Sequence, residues 1–157
     1  MKNLLNSLAK ILIFSALSFT FISQSASAEN VLETPDYIIH YNAFNSTAID
    51  ATAAKQNNLI RSKYTGMLNI AVFKKQADDS TVPVKSINRG TVENLLRQQQ
   101  SLTFKTIVEG SAKNRAIYYI ASFRFADEEQ MNFAIELQPD PNQAPIKLTL
   151  TQVFYVQ

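Results

Sequence analysis

The stretch YIIHYNAFNS, Tyr37 to Ser46, decides how the rest of the chain is read. Tyr37, Ile39, Tyr41 and Ala43 fall on one face of an alternating pattern, and Ile38, His40, Asn42 and Phe44 on the other. A period of two marks an extended strand, and aromatic and β-branched side chains suit its pleated surface. Both faces carry apolar groups, so neither is plainly the solvent side. His40 is the only histidine in the sequence and projects beside Ile38 and Phe44, where at least partial cover is expected. Upstream, the extended pattern reaches back to Val31 with an interruption near Pro35. Downstream, it breaks into an Asn/Ser/Thr turn.

That turn leads into the one credible helix, Ala48 to Gln56. Thr47 followed by Asp50 reads as a capping-box variant, and Asn57-Asn58 as the stop. Two to three turns anchored by Ile49 and Ala53 are expected. From Met67 to Lys74 alternation returns, with Leu68, Ile70 and Val72 on one face and Asn69 on the other. Lys75 to Ser80 is a charged turn. Val82 to Thr91 is a weaker strand, and Pro83 suits an edge. Residues 91–100 admit a helical turn through Leu95 and Leu96, followed by a polar loop.

The second half of the chain is strand after strand. Leu102 to Glu109 sets Leu102, Phe104 and Val108 on one face. Arg115 to Phe125 is apolar nearly throughout, as in a central strand covered on both sides. Met131, Phe133, Ile135 and Leu137 share the inward face of the next strand. Ile146 to Val156 closes the series, with Gln152 among its apolar positions and in need of a hydrogen-bond partner if buried. About seven strands, one short helix and no βαβ rhythm predict an all-β, mainly antiparallel fold. An immunoglobulin-like β-sandwich fits best, with a closed barrel as the alternative.

The first 28 residues stand apart from this pattern. Lys2 and Lys10 give a basic start, Ile11 to Ile22 is uncharged and apolar, and Ser25-Ala26-Ser27-Ala28 offers small residues for cleavage. The segment reads as a signal peptide cut after Ala28, leaving 29–157 as a single domain in the periplasm with no stable membrane anchor. Lys2 and Lys10 also account for the whole excess of 15 basic over 13 acidic residues. A neutral mature chain lacks the electrostatic footprint of a nucleic-acid binder. With no cysteine, neither disulfides nor thiol chemistry are available.

Little catalytic equipment is visible. Ser46 lies near His40 in the sequence and Ser62 is a candidate neighbour in space, but no G-x-S-x-G elbow accompanies them. One histidine and no cysteine supply a metal poorly. Asp78-Asp79 and Asp127-Glu128-Glu129 lack calcium-loop spacing and read as solvated turns. The adjacent Tyr118 and Tyr119 must point to opposite faces. The best ligand group is His40, Asn42, Asn45, Arg61 and Lys63, where an arginine fork with amide and imidazole donors suits a carboxylate or phosphate. The competing role for Arg61 is to tie the helix connection down through Asp50 or Asp36.

A set of residues spaced along the chain resembles the bacterial family called domain of unknown function 4426. They are His40 to Ser46, Arg61-Ser62-Lys63, Leu68-Asn69-Ile70, Asn94-Leu95-Leu96 with Gln98, Leu102-Thr103-Phe104, Tyr118-Tyr119 and Gln152 to Tyr155. The resemblance implies an exported, β-rich single domain and no assigned activity. The family pattern often has a glycine near Leu96-Arg97, where this chain has arginine. Together these readings lead to an expectation: a non-catalytic module, without cofactor or metal, that binds a protein or peptide partner in the cell envelope. Pairing along a strand edge is one route, and a small anionic ligand held around His40 is the alternative.

Overall fold

The computed structural model describes residues 30–111 and 114–156. The signal peptide read over 1–28 lies outside the described residues. Among the described residues ten strands form, where about seven were expected: β1 (Asn30–Glu33), β2 (Tyr37–Asn45), β3 (Thr65–Lys75), β4 (Thr81–Pro83), β5 (Ile87–Asn94), β6 (Gln99–Ser101), β7 (Lys105–Glu109), β8 (Ala116–Arg124), β9 (Glu129–Gln138) and β10 (Ile146–Phe154). Between β2 and β3 lie a single 3-10 turn at Ser46–Ala48 and helix α1 (Ala51–Gln56). Every strand pairing is antiparallel. One sheet runs β1-β2-β3-β8-β7, with β4 also on β3; the other runs β10-β9-β5-β6. The sandwich expected from the sequence is the fold observed.

Alternation explains which faces meet. β2 turns Tyr37, Ile39 and Ala43 inward, β3 Leu68, Ile70 and Val72, and β8 Ile117, Tyr119, Ala121 and Phe123. The opposing sheet supplies Val92, Met131, Phe133, Ile135, Leu137, Leu148 and Phe154. Phe123 lies edge-on to both Phe133 and Phe154, with ring centroids 5.0 and 5.1 Å apart. Gly66 makes room for it, since a Cβ there would come within 2.2 Å of the Phe123 ring. Gln152 finds its partner across the sandwich, donating to the Ala43 carbonyl at 3.0 Å. Gln100 clasps the Arg124 backbone through both its N–H and its C=O.

A second apolar layer covers the outer face of the larger sheet. Ala54 of α1, Met67 and Ile107 are buried there, apart from the main core. This layer explains why β8 is apolar on both faces: Tyr119 enters the core while Tyr118 turns outward toward α1.

Several local expectations need correction. Val31 to Phe44 is a hairpin, because the chain reverses at Thr34–Asp36 and pairs Leu32 with Ile39. The Thr34 N–H donates to Tyr37 O at 2.9 Å, and Pro35, lacking an N–H, suits the turn. Val82 to Thr91 is divided between β4 in one sheet and β5 in the other. Residues 91–100 contain no helical turn: the Asn94 carboxamide oxygen accepts from the backbone of Leu96 and Gln98. Arg97 takes φ +64° there, and Leu95 and Leu96 are exposed. Leu102, Phe104 and Val108 do share the inner side, with Leu102 and Phe104 packed on the core, but β7 begins only at Lys105 and Val108 stays half exposed where the smaller sheet does not cover it. Helix α1 has six residues, and its N-cap is Asp50 rather than Thr47.

Candidate functional site

The five residues singled out in the sequence lie in different settings. His40 and Asn42 lie on the outer face of β2, opposite Ala71 and Asn69. The His40 ring meets Phe73 edge-on at 5.4 Å, and both His40 and Asn42 are engaged with neighbouring groups. Asn45 has the opposite parity and donates to Tyr155 O at 2.8 Å, joining the ends of the two sheets. Arg61 is exposed and donates to Thr47 O at 2.9 Å, which ties the helix connection down through a carbonyl rather than Asp50 or Asp36. Lys63 is exposed, its ammonium 5.1 Å from the Tyr64 ring centre. Ser46 is fully buried, and its hydroxyl is bonded to both the N–H and the C=O of Ser62. None of the five lines any of the three cavities described next.

The sandwich opens at the β7 corner. Register places Thr106 beside Tyr119 and Val108 beside Ile117, so Thr106 and Val108 face the inner side of their sheet. The smaller sheet does not reach over them, and Val108 remains half exposed. Facing them are Lys85, Ser86 and Ile87, which lead into β5, and Gln138, Pro139 and Pro141, which leave β9. The cleft between has a volume of about 620 Å³. Ile117 and Tyr119 form an apolar floor, and the Tyr119 hydroxyl accepts from Ser86 N at 2.7 Å, pinning one wall.

Its charge is one-sided. Among the described residues, Lys85 and Arg115 line the cleft and no carboxylate does. The Ser86 hydroxyl and both amide atoms of Asn88, two residues further on, are buried without a hydrogen-bond partner. A buried polar group left so costs about 1–3 kcal/mol, which a bound polar ligand can offset. A cationic rim over an apolar floor suits an anion with an apolar body.

Two other cavities differ in character. Beneath α1, on the opposite face of β7, a pocket of about 230 Å³ is lined by Phe44, Ile49, Leu59, Ile107, Tyr118 and Ile120 among others. Asn69 contributes to its wall and has an unpaired carboxamide oxygen. A trough of about 500 Å³ crosses the outer face of the smaller sheet over Thr91, Ala134 and Thr149, beside Arg89, Glu136 and Lys147.

Among the described residues, no three His, Cys, Asp or Glu side chains gather where they could share a metal ion. The acidic clusters serve turns instead. Asp78 accepts from the backbone and hydroxyl of Ser80, which holds its pKa below the usual carboxylate range. Asp127 accepts from Val156 N, and Glu129 from Ala126 N and the Asn94 side chain.

Sequence reasoning missed Lys85, Ser86 and Arg115. Lys85 and Ser86 lie in a short link between sheets, and Arg115 precedes the most apolar strand. Only the stacking of the sheets brings them together.

Known structures share this architecture. A DUF4426 family protein from Pseudomonas aeruginosa is 25% identical, with a TM-score of 0.68 over 82% of this chain and 96% of its own. FetP of uropathogenic Escherichia coli, expressed recombinantly in the periplasm, is 12% identical, with a TM-score of 0.56 over 82% of this chain and 94% of its own. A copper-bound variant of FetP gives 12% and 0.54, over 83% and 97%. At such identities the FetP likeness speaks for the fold alone. No curated protein matches the chain. The model of the family described as domain of unknown function (DUF4426) matches residues 31–157, and the chain belongs to that family.

Proposed function

We propose that the protein is an exported, non-catalytic binding module of the cell envelope, and that its site is the cleft at the β7 corner. The observation that carries this reading is the pairing of Lys85 and Arg115 with an apolar floor, with no carboxylate in the lining. Such a site suits a ligand with a carboxylate on a partly apolar body. The lining holds no carboxylate or imidazole to act as a general base, which favours holding a ligand over transforming it. Export is supported by the leader-like first 28 residues. The His40 group supports an anion site less well, since Asn45 faces away from His40 and Asn42 and bonds Tyr155.

The test is a calorimetric titration with acetate, hexanoate and decanoate, using alkyl trimethylammonium ions of matching length as controls. Affinity is expected to rise with chain length for the carboxylates only. A Lys85→Ala/Arg115→Ala double variant should bind decanoate at least about tenfold more weakly, because a hydrogen bond to a charged group is worth about 1.5–3 kcal/mol. Equal affinity in wild type and double variant would rule the cleft out.

A further inference from the structure

We infer that β7 is a docking strand: an extended peptide of alternating acidic and apolar residues adds beside it, sending acidic side chains into the cleft and apolar ones into the pocket beneath α1. This rests on the reading of the cleft as a binding site and names the class of its ligand. β7 is the terminal strand of its sheet, and on its open side no other described strand bonds to its backbone. Every second residue of a strand turns its N–H and C=O to the same side, so part of this backbone faces outward unpaired.

Two of the three cavities flank this one edge. Thr106 and Val108 line the cleft, while Ile107 and Glu109 line the pocket on the other face. A strand added at the edge continues the pleat, so its successive side chains point alternately to those two hollows. Peptide recognition by strand addition has this form: backbone bonds supply affinity, and pockets for alternate side chains supply specificity.

Charge sets the pattern. Lys85 and Arg115 favour an acid on the cleft side. On the other side, aromatic and aliphatic side chains dominate the wall beside Asn57, Asn69 and Glu109. The Lys105 ammonium on that face of β7 is taken up by the Asn57 carbonyl, and Glu109 disfavours an acid there. Edge strands are commonly protected by charges. β7 carries Lys105 and Glu109 at its ends and leaves Thr106 to Val108 uncharged between them. The edges of the smaller sheet are tied down: β10 is joined to β2 by Gln152, and β6 to β8 by Gln100.

The test uses capped heptapeptides in which Glu and Leu alternate. Controls replace Glu with Lys, group the same residues into blocks, or methylate alternate backbone amides. Fluorescence anisotropy should give at least about tenfold tighter binding for the alternating acidic peptide than for the Lys and block forms. Methylation in one phase should weaken binding by a similar factor, and amides of Lys105–Glu109 should exchange hydrogen more slowly with peptide bound. Binding that leaves β7 exchange unchanged, or that ignores methylation in both phases, would overturn the docking strand. Decanoate binding without peptide binding would overturn it too, while sparing the cleft. Failure of both ligands would remove the cleft and the docking strand together.

Discussion

Arg97, a residue with a full side chain, adopts φ +64°. A left-handed backbone costs an ordinary L-residue about 1–2 kcal/mol, whereas glycine gives up about 0.5–1 kcal/mol in backbone entropy. The Arg97–Glu93 ion pair has its arginine almost fully exposed and offsets little of this. Arg97→Gly is therefore expected to raise stability by up to about 1 kcal/mol, read as a higher urea midpoint with an unchanged slope. An unchanged or lower midpoint would show that Asn94 and its bonds to Leu96 and Gln98 hold the turn without strain. The sequence held a clue to this turn in the turn-forming residue type of Asn94, although residues 91–100 also admitted the helical turn that the structure replaces. It gave no such clue for Ser46, whose buried role depends on Ser62 sixteen positions away.

Helix α1 is short enough that its cap matters. Asp50 accepts from the N–H groups of Ala53 and Thr52, and these bonds hold its carboxyl below the usual pKa. A folded-state pKa below the unfolded one contributes stability that is fully present above the unfolded value, about 3.9. That contribution is lost as pH falls through the lower folded value. Amides of Thr52 and Ala53 should accordingly lose exchange protection below about pH 4. Asp50→Asn, which keeps the acceptor without the charge, should remove this pH dependence. Persistence of the transition in that variant would assign it to another group.

At the same scale, β9 and β10 were legible because each buries one face, and alternation alone then sets their orientation. The reversal at Thr34–Asp36 was not legible, since extended character on both sides of Pro35 also suits one long strand. The start of β7 was not legible either, since irregular residues 102–104 precede it, although the face shared by Leu102, Phe104 and Val108 was.

For the molecule as a whole, the sandwich was legible and the site was not. Periodicity tells which face of a strand is buried but not which strands lie opposite each other. The meeting of Lys85 with Arg115 depends on that arrangement. Layering also divides the apolar interior in two. Met131 lies between the sheets, whereas Met67 faces outward, on the strand that packs against the 3-10 turn after β2. Both side chains are shielded in the folded chain, but their covers differ in strength. A single 3-10 turn at Ser46–Ala48 can lift in a local opening that leaves the sheets paired. Dilute hydrogen peroxide should thus convert Met67 to its sulfoxide well before Met131, by about tenfold or more in rate if the openings differ by about 1.4 kcal/mol. Peptide mass mapping would time the two events, and equal rates would mean that both methionines are released only by global unfolding. The outward-facing thioether of Met67 thus serves as a built-in chemical clock for the outer layer.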